Sequence, residues 1–210
     1  RGRQNACPWT RQRAGHPGSP NTRERFPGGA PVSSVITVVS DTHGRDGHRL
    51  DGRTLEAVRA ADLVVHAGDF TTAAVLEAFE AEAGGDRNGE LVAVAGNNDD
   101  EQVRDRVERI RVFERAGVRF VVVHGHEHDE TALSFLGRQE DADVVVVGHS
   151  HRARWDPGGA VAVLNPGSHA DPRWNRPAHA ELESTTEGLS GRLRTPDGEV
   201  LDTFTVAGRA

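Results

Sequence analysis

Val144-Val145-Val146-Val147-Gly148-His149-Ser150-His151 is the stretch on which the fold turns. Four consecutive valines make a continuous β-branched run, the pattern of a strand covered on both faces rather than an amphipathic one. Gly148 suits a tight turn where the backbone leaves the strand. Two histidines two residues apart on extended chain project to the same side. A buried strand that ends in paired imidazoles asks for a use beyond packing.

Working outward, the same grammar recurs. The apolar run 35–40 leads into Asp41-Thr42-His43, 63–67 into Gly68-Asp69, 91–95 into Gly96-Asn97-Asn98-Asp99, and 120–123 into His124-Gly125-His126. A sixth run follows at 161–164. Each fragment alone has a plain reading: Gly-Asp is a common turn, and Gly-Asn-Asn-Asp also serves as a helix N-cap. Five in order, each at a strand end, are hard to explain as structure alone. Side chains presented from the carboxyl ends of strands in an open α/β sheet converge on one crevice even when far apart in sequence.

Between the runs lie segments of helical spacing. Leu55, Val58 and Ala61 share one face, Ala74, Leu76, Phe79 and Ala83 a second, and Val103, Val107, Ile110 and Phe113 a third, which predicts a helix over 101–116. Alternating strand and helix implies an α/β fold with a mainly parallel first sheet and flanking helices. Runs 178–182, 189–193 and 200–206 read as amphipathic strands divided by Gly and Pro-Asp-Gly turns. They are expected to form a second, more antiparallel sheet, giving a two-sheet α/β sandwich.

Residues 1–33 have five prolines and no hydrophobic periodicity, so a disordered basic tail is expected there, with the folded domain over 34–208. Six arginines against Glu24 alone give the tail a formal charge of +5, leaving −12 on the rest of a chain whose net charge is −7. An acidic body without a basic, aromatic-lined groove disfavours a nucleic-acid polymer or an anionic membrane as partner. No apolar stretch reaches membrane-spanning length, and no apolar signal segment opens the sequence, so the cytoplasm is the expected location. Cys7 is the one cysteine, which excludes a disulfide and a thiolate cluster. Any metal site must be built from His, Asp, Glu or Asn.

The ordered set Asp-x-His, Gly-Asp, Gly-Asn-x-Asp, His-Gly-His, Gly-His-x-His resembles the calcineurin-like metallophosphoesterase superfamily. His66-Ala-Gly-Asp69 and Leu164-Asn-Pro-Gly-Ser168 resemble its small single-domain phosphodiesterase branch. The resemblance covers about residues 35–206. It implies a sandwich of the metallophosphoesterase type that binds two divalent metal ions. Asp41, His43 and His151 would hold the first ion, Asn97, His124 and His149 the second, and Asp69 would bridge them. Carboxylate, amide and imidazole donors suit Mn²⁺ first, with Ni²⁺, Fe²⁺ or Zn²⁺ compatible. The implied reaction is hydrolysis of a small phosphate ester, most simply a phosphodiester, by a hydroxide bridging cations roughly 3.5–4 Å apart.

The chain departs from that family pattern at Asn98, where many members carry a histidine that assists the leaving group. An amide donates a hydrogen bond but is no general acid near neutral pH, so good leaving groups are expected to be preferred, with His126 as a substitute donor. His66 is expected to orient a ligand from behind, and Asp99 to support Asn97 or His43 or to favour the helix that follows. A phosphomonoesterase or nucleotide pyrophosphatase on the same site is the nearest alternative. A non-catalytic protein-binding scaffold, resembling the retromer subunit built on this fold, is the alternative from another class.

Overall fold

The computed structural model describes residues 34–85, 89–159 and 161–209; the expected tail at 1–33 lies outside them. The elements run β1 Val35–Val39, α1 Gly52–Ala60, β2 Leu63–His66, α2 Ala73–Glu82, β3 Glu90–Ala93, α3 Glu101–Arg106, β4 Ile110–Arg115 and β5 Val118–Val123. They continue as α4 Glu130–Gln139, β6 Val144–Val146, β7 Arg154–Asp156, β8 Ala162–Asn165, β9 His179–Thr185, β10 Gly188–Arg194 and β11 Val200–Ala207.

Two sheets result, one of order β11-β10-β9-β1-β2-β3 and one of order β4-β5-β6-β8-β7. Strands β1, β2 and β3 pair in parallel, as do β5, β6 and β8, while every other pairing is antiparallel. The continuous apolar runs are explained by what covers them. Ile36, Val38, Leu63 and Val65 face Phe120, Val122, Val144 and Val146 across the inter-sheet core. The alternate residues Val39 and Val64 pack outward with Val58, Val75, Leu76 and Phe79 under α1 and α2. On the far side Val123, Val145 and Val147 pack with Leu133 of α4. Each such side chain contributes about 1.5–3 kcal/mol when fully buried, so the order of layers is helix, sheet, sheet, helix.

Three local expectations are corrected. The C-terminal strands do not make the second sheet: β9 pairs antiparallel with β1, Ile36 opposite Leu182, and so extends the first. The second sheet is built from β4 to β8, which divides the parallel strands three to each sheet. The helix expected over 101–116 ends at Arg106, and Ile110–Arg115 is strand β4. The hydrophobic spacing of Val107, Ile110 and Phe113 fits a helix, but hairpin pairing with β5 wins. Ala116 and Gly117, at φ 52° and 74°, form a two-residue turn of the kind that matches strand twist, and Phe113 stacks on Phe120 with centroids 4.9 Å apart. The cap of α3 is Asp100, which accepts from the Val103 N–H at 2.9 Å, and not Asp99. Helix α4 and strand β7 had no clear signature in the sequence.

Candidate metal centre

The strand ends of both sheets meet at one place. The His124 Nδ1–H after β5 donates to the Ala67 carbonyl after β2 at 2.7 Å, and the His149 N–H after β6 donates to Asp41 Oδ1 at 3.2 Å. Asp41 and His43 are tied to the next strand end through Asp41 N–H to Gly68 O at 3.0 Å and His43 N–H to Asp69 O at 3.1 Å. Gly148 is obligatory here, because a Cβ on it would overlap Ser40 Oγ and sit 2.8 Å from Asp41 Oδ2.

The side chains do not converge on extended backbone as their spacing suggests. Asp41, His43, Asp69, His149 and His151 all have left-handed φ, at 53°, 46°, 61°, 63° and 57°. Each costs about 1–3 kcal/mol for a residue with a Cβ, and such strain gathers at functional sites. The left-handed turns bring Asp41, His43, Asp69 and His151 inward, while His149 stays at the rim.

Five of the seven expected ligands come together tightly. Asp41, His43 and His151 form one group and Asp41, Asp69 and His124 another, with ligand atoms within 4.8 Å of one another in each. Asp69 Oδ2 lies 3.2 Å from His124 Nε2 and 3.5 Å from His43 Nε2, so it stands between the two groups. Asp41 Oδ1 is 3.4 Å from His151 Nε2. His149 is exposed at the rim, its ring 5.3 Å from that of His124. Asn97 is also exposed, on a turn held by its neighbours: Gly96 N–H donates to Asp99 at 2.7 Å and Asn98 N–H to Asp69 at 2.8 Å.

The donor set fits divalent cations. Backbone carbonyls only accept, so the contacts to Ala67 and Asp171 place the protons of His124 and His151 on Nδ1 and leave both Nε2 lone pairs facing the carboxylates. His124 Nε2 is buried with no hydrogen-bond partner of good geometry, despite Asp69 nearby. The His43 and His151 Nε2 atoms face each other at 3.3 Å. Asp41 is fully buried, and among the described residues its ion-pair partners are all histidines. Burial raises its pKa to about 7, against the pull of His124 and the Ser40 hydroxyl. Burial acts upward on Asp69 too, but His124 and Asn98 prevail and hold it far below the usual range. Burial favours neutral His124, yet the Asp69 charge raises its pKa. A cation between these groups would take over the role of that proton.

Around the ligands, Asp99 accepts backbone N–H groups from Asp69 at 3.2 Å, Thr71 at 2.7 Å and Gly96 at 2.7 Å. It therefore ties the Asp69 loop to the turn that carries Asn97. His66 is buried and bonded to Thr42, between Asp41 and His43. Asn98 Nδ2 donates to Asp69 Oδ2 at 2.8 Å, which leaves one amide hydrogen free for a substrate. The His126 ring lies 5.6 Å from that of His124, and burial lowers its pKa, keeping it neutral. Ser168, at the end of the Asn-Pro-Gly-Ser turn, donates to the Asp41 carbonyl at 2.7 Å. Its precise placement needs β8 beside β6, which no local pattern reveals.

Residues 35–187 match the calcineurin-like phosphoesterase superfamily domain. The chain belongs to that superfamily. A probable metallophosphoesterase of Methanothermobacter thermautotrophicus is 31% identical over 163 residues, covering 76% of this chain and 91% of the relative. A phosphodiesterase of Methanocaldococcus jannaschii is 26% identical over 143 residues, covering 63% of this chain and 82% of that protein. The Vps29 structure of Chaetomium thermophilum aligns with a TM-score of 0.68 at 17% identity, over 84% of this chain and all of that one, a likeness of fold alone. Within the matched range, Asp41, His43, Asp69, His124 and His151 are the residues gathered closely enough to share metal ions. Among the described residues no helix is long and apolar enough to cross a membrane.

Proposed function

We propose that this chain is a binuclear metal-dependent phosphodiesterase acting on small phosphate esters in the cytoplasm. Asp41, His43 and His151 hold one cation, Asn97, His124 and His149 a second, and Asp69 both. The observation that carries this reading is Asp69 Oδ2 lying between His43 Nε2 and the unpartnered His124 Nε2. The relative named as a phosphodiesterase supports the diester preference.

When bound, two divalent ions, Mn²⁺ first, lower the pKa of water toward about 7 and neutralise the phosphate oxygens in the transition state. The chain supplies positioning. Asp99 holds the Asp69 loop by two N–H bonds and the Gly96 turn by a third, and Asn98 fixes both Asp69 oxygens. The free Asn98 amide hydrogen and neutral His126 donate hydrogen bonds toward the leaving group. Filled ligand positions favour this over the scaffold reading. The deciding experiment is hydrolysis of bis-p-nitrophenyl phosphate and p-nitrophenyl phosphate by chelator-treated protein, with Mn²⁺, Ni²⁺, Zn²⁺ or Mg²⁺ added back. Metal-dependent turnover of the diester that Asp69→Asn abolishes is expected. Tight metal binding without turnover of either ester would move the assignment to a scaffold.

A further inference from the structure

Segment 168–171 lies against the loop that carries Asp41 and His43, and each of its residues is tied to that loop or to His151. The Ser168 hydroxyl donates to the Asp41 carbonyl at 2.7 Å, and its oxygen accepts the Asp171 N–H at 2.8 Å. His169 Nε2–H donates to the His48 carbonyl at 3.2 Å. The Asp171 carbonyl accepts the Nδ1 proton of His151. Ala170 is reached by Arg49, whose Nη2 donates to the Ala170 carbonyl at 2.8 Å. From the same guanidinium, Nη1 donates to the Thr42 carbonyl at 3.0 Å and to the His43 carbonyl at 3.2 Å.

Those carbonyls belong to separate segments. One segment bears His43, and the other ends at Asp171, which orients His151. The two histidines have to meet: their rings stack with centroids 5.0 Å apart, and their Nε2 atoms lie 3.3 Å apart. Among the described residues no backbone-to-backbone hydrogen bond joins 41–49 to 168–171, so side chains carry the tie. A planar guanidinium with donors on separate nitrogens suits carbonyls on separate segments. Arg49 does this from a left-handed backbone at φ 53°, which a residue with a Cβ keeps only where its surroundings over-determine it. Its charge acts against a neighbouring cation, weakly, because solvent screens an exposed group. What Arg49 contributes to the centre is therefore geometry.

We propose that Arg49 is a positioning residue for the cation site of Asp41, His43 and His151, holding the two histidines together before an ion arrives. The proposal rests on the binuclear reading and concerns one of its two sites. The probe is Zn²⁺, which is diamagnetic, added to chelator-treated protein and followed through the NMR signals of the histidine rings. Arg49→Ala should raise the Zn²⁺ concentration at which His43 and His151 respond by about tenfold, while His124 responds as in the wild type. Loss of charge alone would act in the opposite direction. Arg45→Ala, exposed on the same loop, should accordingly leave the response of His43 and His151 unchanged or move it to lower Zn²⁺. Arg49→Lys keeps the charge but offers one nitrogen in place of two, and should weaken the site as Arg49→Ala does. Before any Zn²⁺ is added, the Nδ1 proton of His151 should exchange with solvent about tenfold faster in Arg49→Ala than in the wild type. Unchanged binding and exchange would overturn the proposal, as would an equal loss at His43, His151 and His124, the mark of general loosening. A wild type that takes up no Zn²⁺ would sink the metal-centre reading, and the exchange of the His151 proton would still decide whether Arg49 positions that ring.

Discussion

His66 Nε2 and Thr42 Oγ1 are joined by a buried hydrogen bond of 2.9 Å whose direction is set elsewhere. The Gly68 N–H donates to His66 Nδ1 at 3.2 Å, so the ring proton sits on Nε2 and His66 donates to Thr42. The ring is stacked on Phe70 at 3.6 Å between centroids, and burial holds its pKa well below the usual value. A neutral, immobile imidazole thus pins the residue between Asp41 and His43. His66→Phe keeps an aromatic ring but removes the donor. It should weaken metal binding about 10-fold or more, read by titration, while the circular dichroism spectrum stays native. Unchanged affinity would make His66 a packing residue only.

Asp99 acts on Asp69 by gathering three backbone N–H groups from two loops. Asp99→Asn retains one acceptor oxygen and places an NH₂ against donors. Metal affinity should fall about 10–100-fold, and chelator-treated protein should lose about 1–3 kcal/mol of stability from stranded donors, measured by urea unfolding. The two losses together are the signature; stability loss alone would argue for a purely structural role.

Acid sensitivity should come first from the ion-pair cluster around Glu181. Glu181 on β9 accepts two hydrogen bonds of 2.7 Å from Arg53 and one of 3.0 Å from His179. Burial acts to raise its pKa, but Arg53 and His179 prevail and bring it down to about 2. A folded-state pKa below the unfolded value means stability present above about pH 4.5 and lost as pH falls toward 2. The contribution is about 3 kcal/mol at most, at 1.36 kcal/mol per pKa unit. His169 adds in the same direction: burial lowers its pKa to about 4, so stability is lost as pH falls from about 6.5. Unfolding free energy measured from pH 7 to pH 3 should decline, and Glu181→Gln should flatten the limb below pH 4.5. A wild-type limb no steeper than that of the variant would refute the assignment.

Leaving-group dependence tests the role of Asn98. One of its amide hydrogens already binds Asp69, and neither it nor neutral His126 is a strong acid. Aryl diesters should therefore turn over at least about 10²-fold faster than alkyl diesters of similar size, the usual worth of a missing general acid. Equal rates on the two classes would show that an acid operates there.

The family and the motif residues of this protein were legible in one dimension because their signals are local. A valine run states its burial by composition, and Asp41, Asp69, His124, His149 and His151 each stand at a strand end by position alone. Helices α1 and α2 were readable for the same reason, since Val58 and Phe79 repeat at helical spacing on faces that one sheet covers. Pairing is another matter. Backbone hydrogen bonds carry no side-chain identity, so nothing near residue 180 says that β9 lies against β1, and nothing in 101–116 says that β5 will claim Ile110–Arg115. Only the tertiary structure decided the left-handed backbone at Asp41, His43, Asp69, His149 and His151, which surrounding contacts must enforce against local preference. It also decided that Asp99 ties the Asp69 loop to the turn that carries Asn97, and that Arg49 joins the loop of His43 to Ala170. Ligand identity is a property of single residues, whereas orientation and contact belong to elements that meet only on folding.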